Sequence, residues 1–288
     1  MKPQAQVGVI GGSGLYQFEG LKAGRSIKIK TPFGGPSGPV FIGEIDGVRC
    51  AFLARHGAGH TLLPGEINVR ANIWALKSLG VERIAAVAAV GSLKEELAPK
   101  HFVVPDQIVD RTKGRVSTFF GSGVVAHVAF DKPFCEAQSD ILYSQARSLG
   151  ITTHRGGTYV CMEGPLFSTK SESEFHRRNG WELIGMTAAT EAKLAREAEL
   201  CYSLIALVTD YDCWKTGEEV SSSQVVATMH ANSANAQRLL AKSVSALAAR
   251  PRDCRCAHAL SGALVTAPKA MNKKTAAKLS LLIDKYLP

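Results

Sequence analysis

The sequence lacks any apolar run near the roughly 18 residues that span a bilayer, so no membrane partner is expected. It also lacks a leader pattern. Met1-Lys2-Pro3-Gln4-Ala5-Gln6 runs straight into a strand-like segment, with no long apolar stretch and small-residue cleavage site, so a cytoplasmic chain is expected. Three familiar signatures are missing around the first glycine cluster, Gly11-Gly12-Ser13-Gly14-Leu15. A dinucleotide fingerprint needs glycine where Gln17 stands, a Walker A loop needs a following Gly-Lys-Ser/Thr, and a nucleophile elbow needs glycine in place of Leu15. No repeat, low-complexity stretch or linker is present, which leaves a single domain over residues 1–288. The net charge is +9, but no stacking-aromatic pattern accompanies it, so nucleic acid is not an expected partner. Much of the basic excess lies in a helical tail from about residue 251 (Arg252, Arg255, Lys269, Lys273, Lys274, Lys278, Lys285), and it reads as a solvated surface around an anionic-substrate site.

What is present is an ordinary globular composition, 45% hydrophobic and 20% charged. Strand and helix patterns alternate. Val7-Gly8-Val9-Ile10 is a first strand, and 40–54 reads as a hairpin turned at Asp46-Gly47. Residues 67–79 are helical, 81–90 a very apolar strand broken by Gly91-Ser92, and Phe102-Val103-Val104-Pro105 another strand. Helices follow at 133–149, 168–178 and 191–199, with a strand at 158–162. After the strand Leu204-Ile205-Ala206-Leu207-Val208 come a long helix, 221–249, and a last amphipathic one, 275–287. The class is α/β, with a largely parallel or mixed central sheet.

The strand at 204–208 ends abruptly in Thr209-Asp210-Tyr211-Asp212. Asp210 and Asp212 are two apart, so on a continued strand they point to one face. Carboxyls this close push each other's pKa apart, which lets one hold a proton near neutrality. Strand ends at the edge of an α/β core are where such folds bind ligands. The glycine cluster brings backbone amides and the Ser13 hydroxyl to a turn that suits an anion, or that is only a tight turn. Arg55-His56 follows a buried strand and offers a planar fork and a second donor for phosphate. His56 and His60 are four apart, but Gly57 and Gly59 argue against the helix that a zinc pair needs. Phe167 suits stacking on a flat base or core packing, and Thr187 can donate to an anion.

Of the seven cysteines, most read as buried free thiols. Cys254-Arg255-Cys256 differs. It lacks a second ligand pair at the usual spacing, so a redox pair or a disulfide is expected before a metal.

Taken in order, these segments resemble the trimeric branch of the purine nucleoside phosphorylase superfamily, the branch that acts on 5′-methylthioadenosine. The matching segments include Ile10-Gly11-Gly12-Ser13-Gly14-Leu15, Thr31-Pro32-Phe33-Gly34, Ala54-Arg55-His56-Gly57, Val90-Gly91-Ser92-Leu93, Glu163-Gly164-Pro165, Gly185-Met186-Thr187 and Thr209-Asp210-Tyr211-Asp212-Cys213-Trp214. They run from about residue 7 to about residue 250. The resemblance implies one α/β domain with a twisted mixed central β-sheet flanked by helices, and a homotrimer, or a hexamer made as a dimer of trimers. It implies reversible phosphorolysis of 5′-methylthioadenosine to adenine and 5-methylthioribose 1-phosphate. No cofactor and no metal are implied, inorganic phosphate being a co-substrate. Carried over residue by residue, Ser13, Arg55, His56, the Ala89 amide and Thr187 cradle phosphate. The Met186 amide holds the ribose 2′-hydroxyl, Phe167 packs on the base, and Val226 supplies an apolar wall. His127 closes the 5′ end from the neighbouring subunit. Asp210 acts as general acid at N7, and Asp212 helps to read the 6-amino group.

There are departures from the family pattern. Ala88 stands where some relatives carry a phosphate-contacting threonine, Leu166 replaces an arginine, and Ser223 replaces an apolar residue of the methylthio pocket. The last leaves room for adenosine. A broader purine nucleoside phosphorylase, or one acting on methylthioinosine, is therefore the second reading, and a non-catalytic nucleoside- or phosphate-binding protein a remote third. By analogy with relatives from thermophiles that carry Cys-x-Cys and intrasubunit disulfides, Cys135 and Cys201 are expected to pair.

Overall fold

A computed structural model describes residues 3–12, 21–217 and 221–287. Among these, eleven strands join one sheet: β1 (Val7–Gly11), β2 (Lys22–Ile27), β3 (Val40–Ile45), β4 (Val48–Ala54), β5 (Arg83–Ser92), β6 (Phe102–Val104), β7 (Gln107–Asp110), β8 (Thr153–Arg155), β9 (Thr158–Cys161), β10 (Leu183–Gly185) and β11 (Cys201–Asp210). Six helices pack around it: α1 (Val69–Ser78), α2 (Glu136–Ser148), α3 (Lys170–Arg178), α4 (Ala188–Glu197), α5 (Ser222–Ala249) and α6 (Lys273–Ile283). The expected single α/β domain with a mixed sheet is what the chain forms.

Both faces of the sheet are covered, which is why its strands read as unbroken apolar runs. In β11, Leu204, Ala206 and Val208 point into one core with α1, α4 and α6. Ile205 and Leu207 point into the other, with α2 and α5. The hairpin forms at Asp46-Gly47, both with positive φ (47° and 78°), the pair of values that a two-residue turn of matching twist requires.

Strand β5 organises the rest. One edge pairs with β11 in parallel along nearly its whole length. The other edge pairs with β1 only as far as Ile10↔Ala86, and then with β10 in antiparallel from Ile184↔Gly91. Between these two partners, at residues 87–90, the sheet splits. Gly91 and Ser92, expected to end the strand, belong to it, because β10 and β11 give Gly91 a partner on either side. Strands β2, β7, β8 and β10, three to six residues long, had no legible pattern.

The C-terminal segment packs on the body of the domain. Leu279, Leu282 and Ile283 of α6 join the larger core. Glu199, left-handed (φ 54°) at the end of α4, is buried and accepts from the Leu260 amide (3.1 Å), the Tyr286 hydroxyl (2.5 Å) and the Lys285 ammonium (2.5 Å). A glutamine there keeps one acceptor oxygen for the Leu260 amide and the Tyr286 hydroxyl but loses the charge and turns an amide group toward Lys285. Glu199→Gln is expected to cost about 1–3 kcal/mol in urea unfolding and to expose the last turn of the chain to protease. An unchanged urea midpoint would remove Glu199 from this role.

Candidate active site

Strands β4, β1, β5 and β11 are mutually parallel, so their C-terminal ends share one edge. That edge carries Arg55-His56 after β4, Gly91 in β5 and Asp210 at the end of β11, and the split in the sheet opens beside it. Parallel sheets place ligand sites where the strand order changes, and here the change lies between β1 and β10.

Arg55 is 3% exposed and locked. Its Nε and Nη2 bond both carboxylate oxygens of Glu191 on α4 (2.5 and 3.1 Å), and Nη1 donates to the Val87 carbonyl (2.9 Å). Glu191 also accepts from the Tyr202 hydroxyl (2.7 Å). Burial works against the Arg55 charge, but Glu191 outweighs it and holds the guanidinium protonated. Because Val87 turns its carbonyl into the split, Ala89, two residues on, turns its amide the same way. Thr187 is the N-cap of α4, yet its hydroxyl makes no capping bond. The first turn of α4, through Glu191, and the free edge of β5, through the Val87 carbonyl, thus both bond the fixed guanidinium and flank one slot, an arrangement suited to a tetrahedral oxyanion. Ser13 lies outside the described residues.

His56 differs from its expected part. Its Nδ1 lies 2.9 Å from the Leu62 carbonyl, which only accepts, so Nδ1 carries the proton. Burial, with the neighbouring Arg55 charge, lowers its pKa to about 4. The ring is therefore neutral at pH 7, and Nε2 is an acceptor until a ligand brings it a proton. It stacks on His60 (centroids 4.1 Å apart) in a glycine-bent loop, not on a helix.

On the other side, the strand does not continue through the acidic pair. Strand β11 stops at Asp210, and Asp212 sits in a turn with φ 52°. The Asp212 amide donates to Asp210 Oδ1 (2.8 Å), and the Thr209 hydroxyl donates to Oδ2 (2.7 Å). The two side chains are thus set by a turn, not by strand alternation. Burial, opposed by these two donors and aided by the Asp212 charge, raises the Asp210 pKa. Asp212 is 4% exposed, and its Oδ2 has no hydrogen-bond partner among the described residues. Gly91 makes the room: a Cβ there would lie 3.0 Å from Asp210 Oδ1 and 2.9 Å from Ile184.

Met186 and Phe167 come from the two loops beside this edge. The Met186 carbonyl is fixed by Arg115 (3.1 Å), which also binds Glu163 (2.7 Å). Phe167 is 44% exposed and so is not a core residue. Val226 on α5 is 53% exposed. His127 is exposed, its amide bonded to the Ala263 carbonyl (2.9 Å), and none of the described contacts joins it to the other residues. Four residues escaped the sequence reading: Glu191, Tyr202, Arg115 and His176. Glu191 shows a usable signal, an acid one turn into a helix after Met186-Thr187, but its partner is 136 residues away. His176 is buried near the Asp212 charge with its Nδ1 unpartnered among the described residues, and burial lowers its pKa.

In phosphate-free protein, NMR titration of His56 is expected to give a pKa near about 4, against 6.5 for the free side chain. Its contribution to stability is then present above pH 6.5 and lost as pH falls toward 4. Phosphate should move the midpoint upward, since a dianion favours the imidazolium. A midpoint at 6.5 that ignores phosphate would exclude His56 from the slot.

The Phosphorylase superfamily profile matches residues 6–245. The S-methyl-5′-thioadenosine phosphorylase of Geobacter sulfurreducens is 52% identical over 283 residues, covering 98% of this chain and 99% of its own. That of Koribacter versatilis is 51% identical over 284 residues, covering 98% and 97%. A methylthioadenosine phosphorylase from an Antarctic soil metagenomic library superposes with a TM-score of 0.94 at 47% identity, over 98% of this chain and 99% of that one. The methylthioadenosine phosphorylase of Schistosoma mansoni, solved with adenine, gives 0.82 at 35% identity, over 97% and 98%. The chain belongs to the phosphorylase superfamily, alongside these relatives.

Proposed function

We propose that the protein catalyses reversible phosphorolysis of 5′-methylthioadenosine, releasing adenine and 5-methylthioribose 1-phosphate. The observation that carries this is the pairing, on one sheet edge, of the Arg55–Glu191 slot with the Asp210–Asp212 turn. A phosphate oxygen attacks C1′ as the C1′–N9 bond breaks, and the bonding electrons pass into the purine. The slot holds the phosphate under a sugar carbon that turns oxocarbenium-like, through the Ala89 amide, the Thr187 hydroxyl, the end of α4 and the positive charge of Arg55, whose fork stays on Glu191. Asp210, its pKa raised by burial, delivers a proton to N7. Asp212 Oδ2, a buried acceptor without a partner among the described residues, receives the 6-amino group of adenine. A 6-oxo group would face it with a second acceptor, which costs about 1–3 kcal/mol. The Met186 amide takes the ribose 2′-hydroxyl, and Phe167 and Val226 cover base and sugar.

The chain acts as a homotrimer, in which His127 of one subunit closes the 5′ end of its neighbour's site. In support, Val125 and Val265 lie exposed and hydrogen-bonded to each other beside His127, an apolar surface that a neighbour would cover. Inorganic phosphate is the co-substrate, and no cofactor is required by the chemistry assigned to these residues. Exposed Ser223 on α5 favours some turnover of adenosine as well.

Base release from methylthioadenosine, adenosine and inosine, with and without phosphate, tests the reading. Release is expected to need phosphate and to be fastest with methylthioadenosine. Release without phosphate would assign hydrolysis instead. Asp210→Asn is expected to lower kcat on methylthioadenosine by about 100-fold or more, and Asp212→Asn to shift preference from methylthioadenosine toward inosine. An unchanged preference in Asp212→Asn would separate Asp212 from base reading.

A further inference from the structure

Four of the seven cysteines meet, and they do so far from the catalytic edge. Cys135 is the N-cap of α2, Cys201 opens β11, and Cys254 and Cys256 lie at the short turn of helix Arg255–His258. Their Sγ atoms all lie within 4.8 Å of one another, and Cys201 and Cys254 are 3.3 Å apart. Cys135, Cys201 and Cys256 are buried, and Cys254 is partly exposed. Asp210 is at the opposite end of the ten-residue strand that Cys201 begins.

We propose that Cys135, Cys201, Cys254 and Cys256 form a tetrathiolate site for a zinc-type divalent cation, which pins the C-terminal segment to the root of β11. Tetrahedral coordination with Zn–S of about 2.3 Å sets sulfurs about 3.8 Å apart, a spacing that fits inside the observed quartet. The donors are four sulfurs with no carboxylate or imidazole among them, which selects a thiophilic ion over magnesium or calcium. Four thiolates leave excess negative charge on such a site, and a cation stands ready to meet it. Arg83, 3% exposed, directs Nη1 at Cys201 Sγ (3.8 Å) and is held in place by the Arg250 carbonyl. Cys135, Cys254 and Cys256 line a cavity of about 780 Å³, which gives the ion a way in. The ligands come from three separate stretches, with Cys201 and Cys254 53 residues apart, so the bound ion closes long loops and ties the tail down. Sequence spacing around Cys254-Arg255-Cys256 ranks a metal below a disulfide because the second pair is supplied only by the fold.

The competing chemistry for the same sulfurs is two disulfides, with S–S of about 2.05 Å and two electrons lost per bond. The full-length protein, purified with zinc and a non-thiol reductant and then desalted, is expected to hold about one zinc per chain by mass spectrometry of the metal. Cobalt(II) in place of zinc should give the visible bands of a tetrahedral ion and intense sulfur-to-metal charge transfer. Cys254→Ser and Cys256→Ser should each cut retained zinc at least tenfold, with far-ultraviolet circular dichroism preserved. Cobalt on the unaltered chain keeps the test independent of how the variants fold. Less than a tenth of an equivalent of zinc, together with no thiolate bands from cobalt, would overturn the proposal. Disulfides joining these cysteines in protein that retains no zinc would overturn it and assign the cluster to redox pairing.

Discussion

The buried pair Arg55–Glu191 ties the sheet to the site. It joins the end of β4 to α4, takes the Val87 carbonyl of β5 as a third partner, and reaches β11 through the Tyr202 hydroxyl. Removing either charge would strand the other in the core at several kcal/mol, so both persist together. The pair also bridges the point where β1 leaves β5 and β10 has not yet joined it. Ladder hydrogen bonds to β11 hold the other edge of β5 throughout, but on this edge the Arg55 side chain takes the Val87 carbonyl, and the backbone beyond it has no strand partner among the described residues.

Much of this was legible in the sequence for a simple reason: long, strongly patterned elements depend on local rules. Strands β1, β4, β5 and β11, the Asp46-Gly47 hairpin and helices α1, α2 and α5 were found because both faces of the sheet are buried and helix faces repeat. Boundaries failed where tertiary partners decide them. Gly91 and Ser92 look like a break but are strand, and α4 begins at Ala188, three residues before the expected start. The three-residue strands β8 and β10 have too few residues to show a period and form only because a neighbour offers a ladder.

The candidate site was legible as residue types but not as an arrangement. Arg55, His56, Thr187 and the two aspartates were named from motifs, yet what each does with its hydrogens depends on distant groups. His56 spends its proton on Leu62 and Asp212 turns out of the strand, neither of which follows from the order of residues. That Glu191 fixes Arg55, and that His176 is buried near the Asp212 charge, is invisible without the fold because no rule of spacing links positions so far apart. The cysteine quartet is the extreme case, since only the folded chain assembles it.

Strand β11 begins at a knot and ends at the residue to which the proposed mechanism gives the proton. At its root are Glu199 with its hold on Lys285 and Tyr286, the Arg83 contact and the four sulfurs. At its tip is Asp210, where burial and two donors set the proton's affinity. The length between them is filled by buried residues that allow little play. On the proposed mechanism the molecule divides its labour along a single strand, with durability settled at one end and reactivity at the other. Substitutions that alter how long the protein lasts and those that alter what it turns over would then accumulate separately.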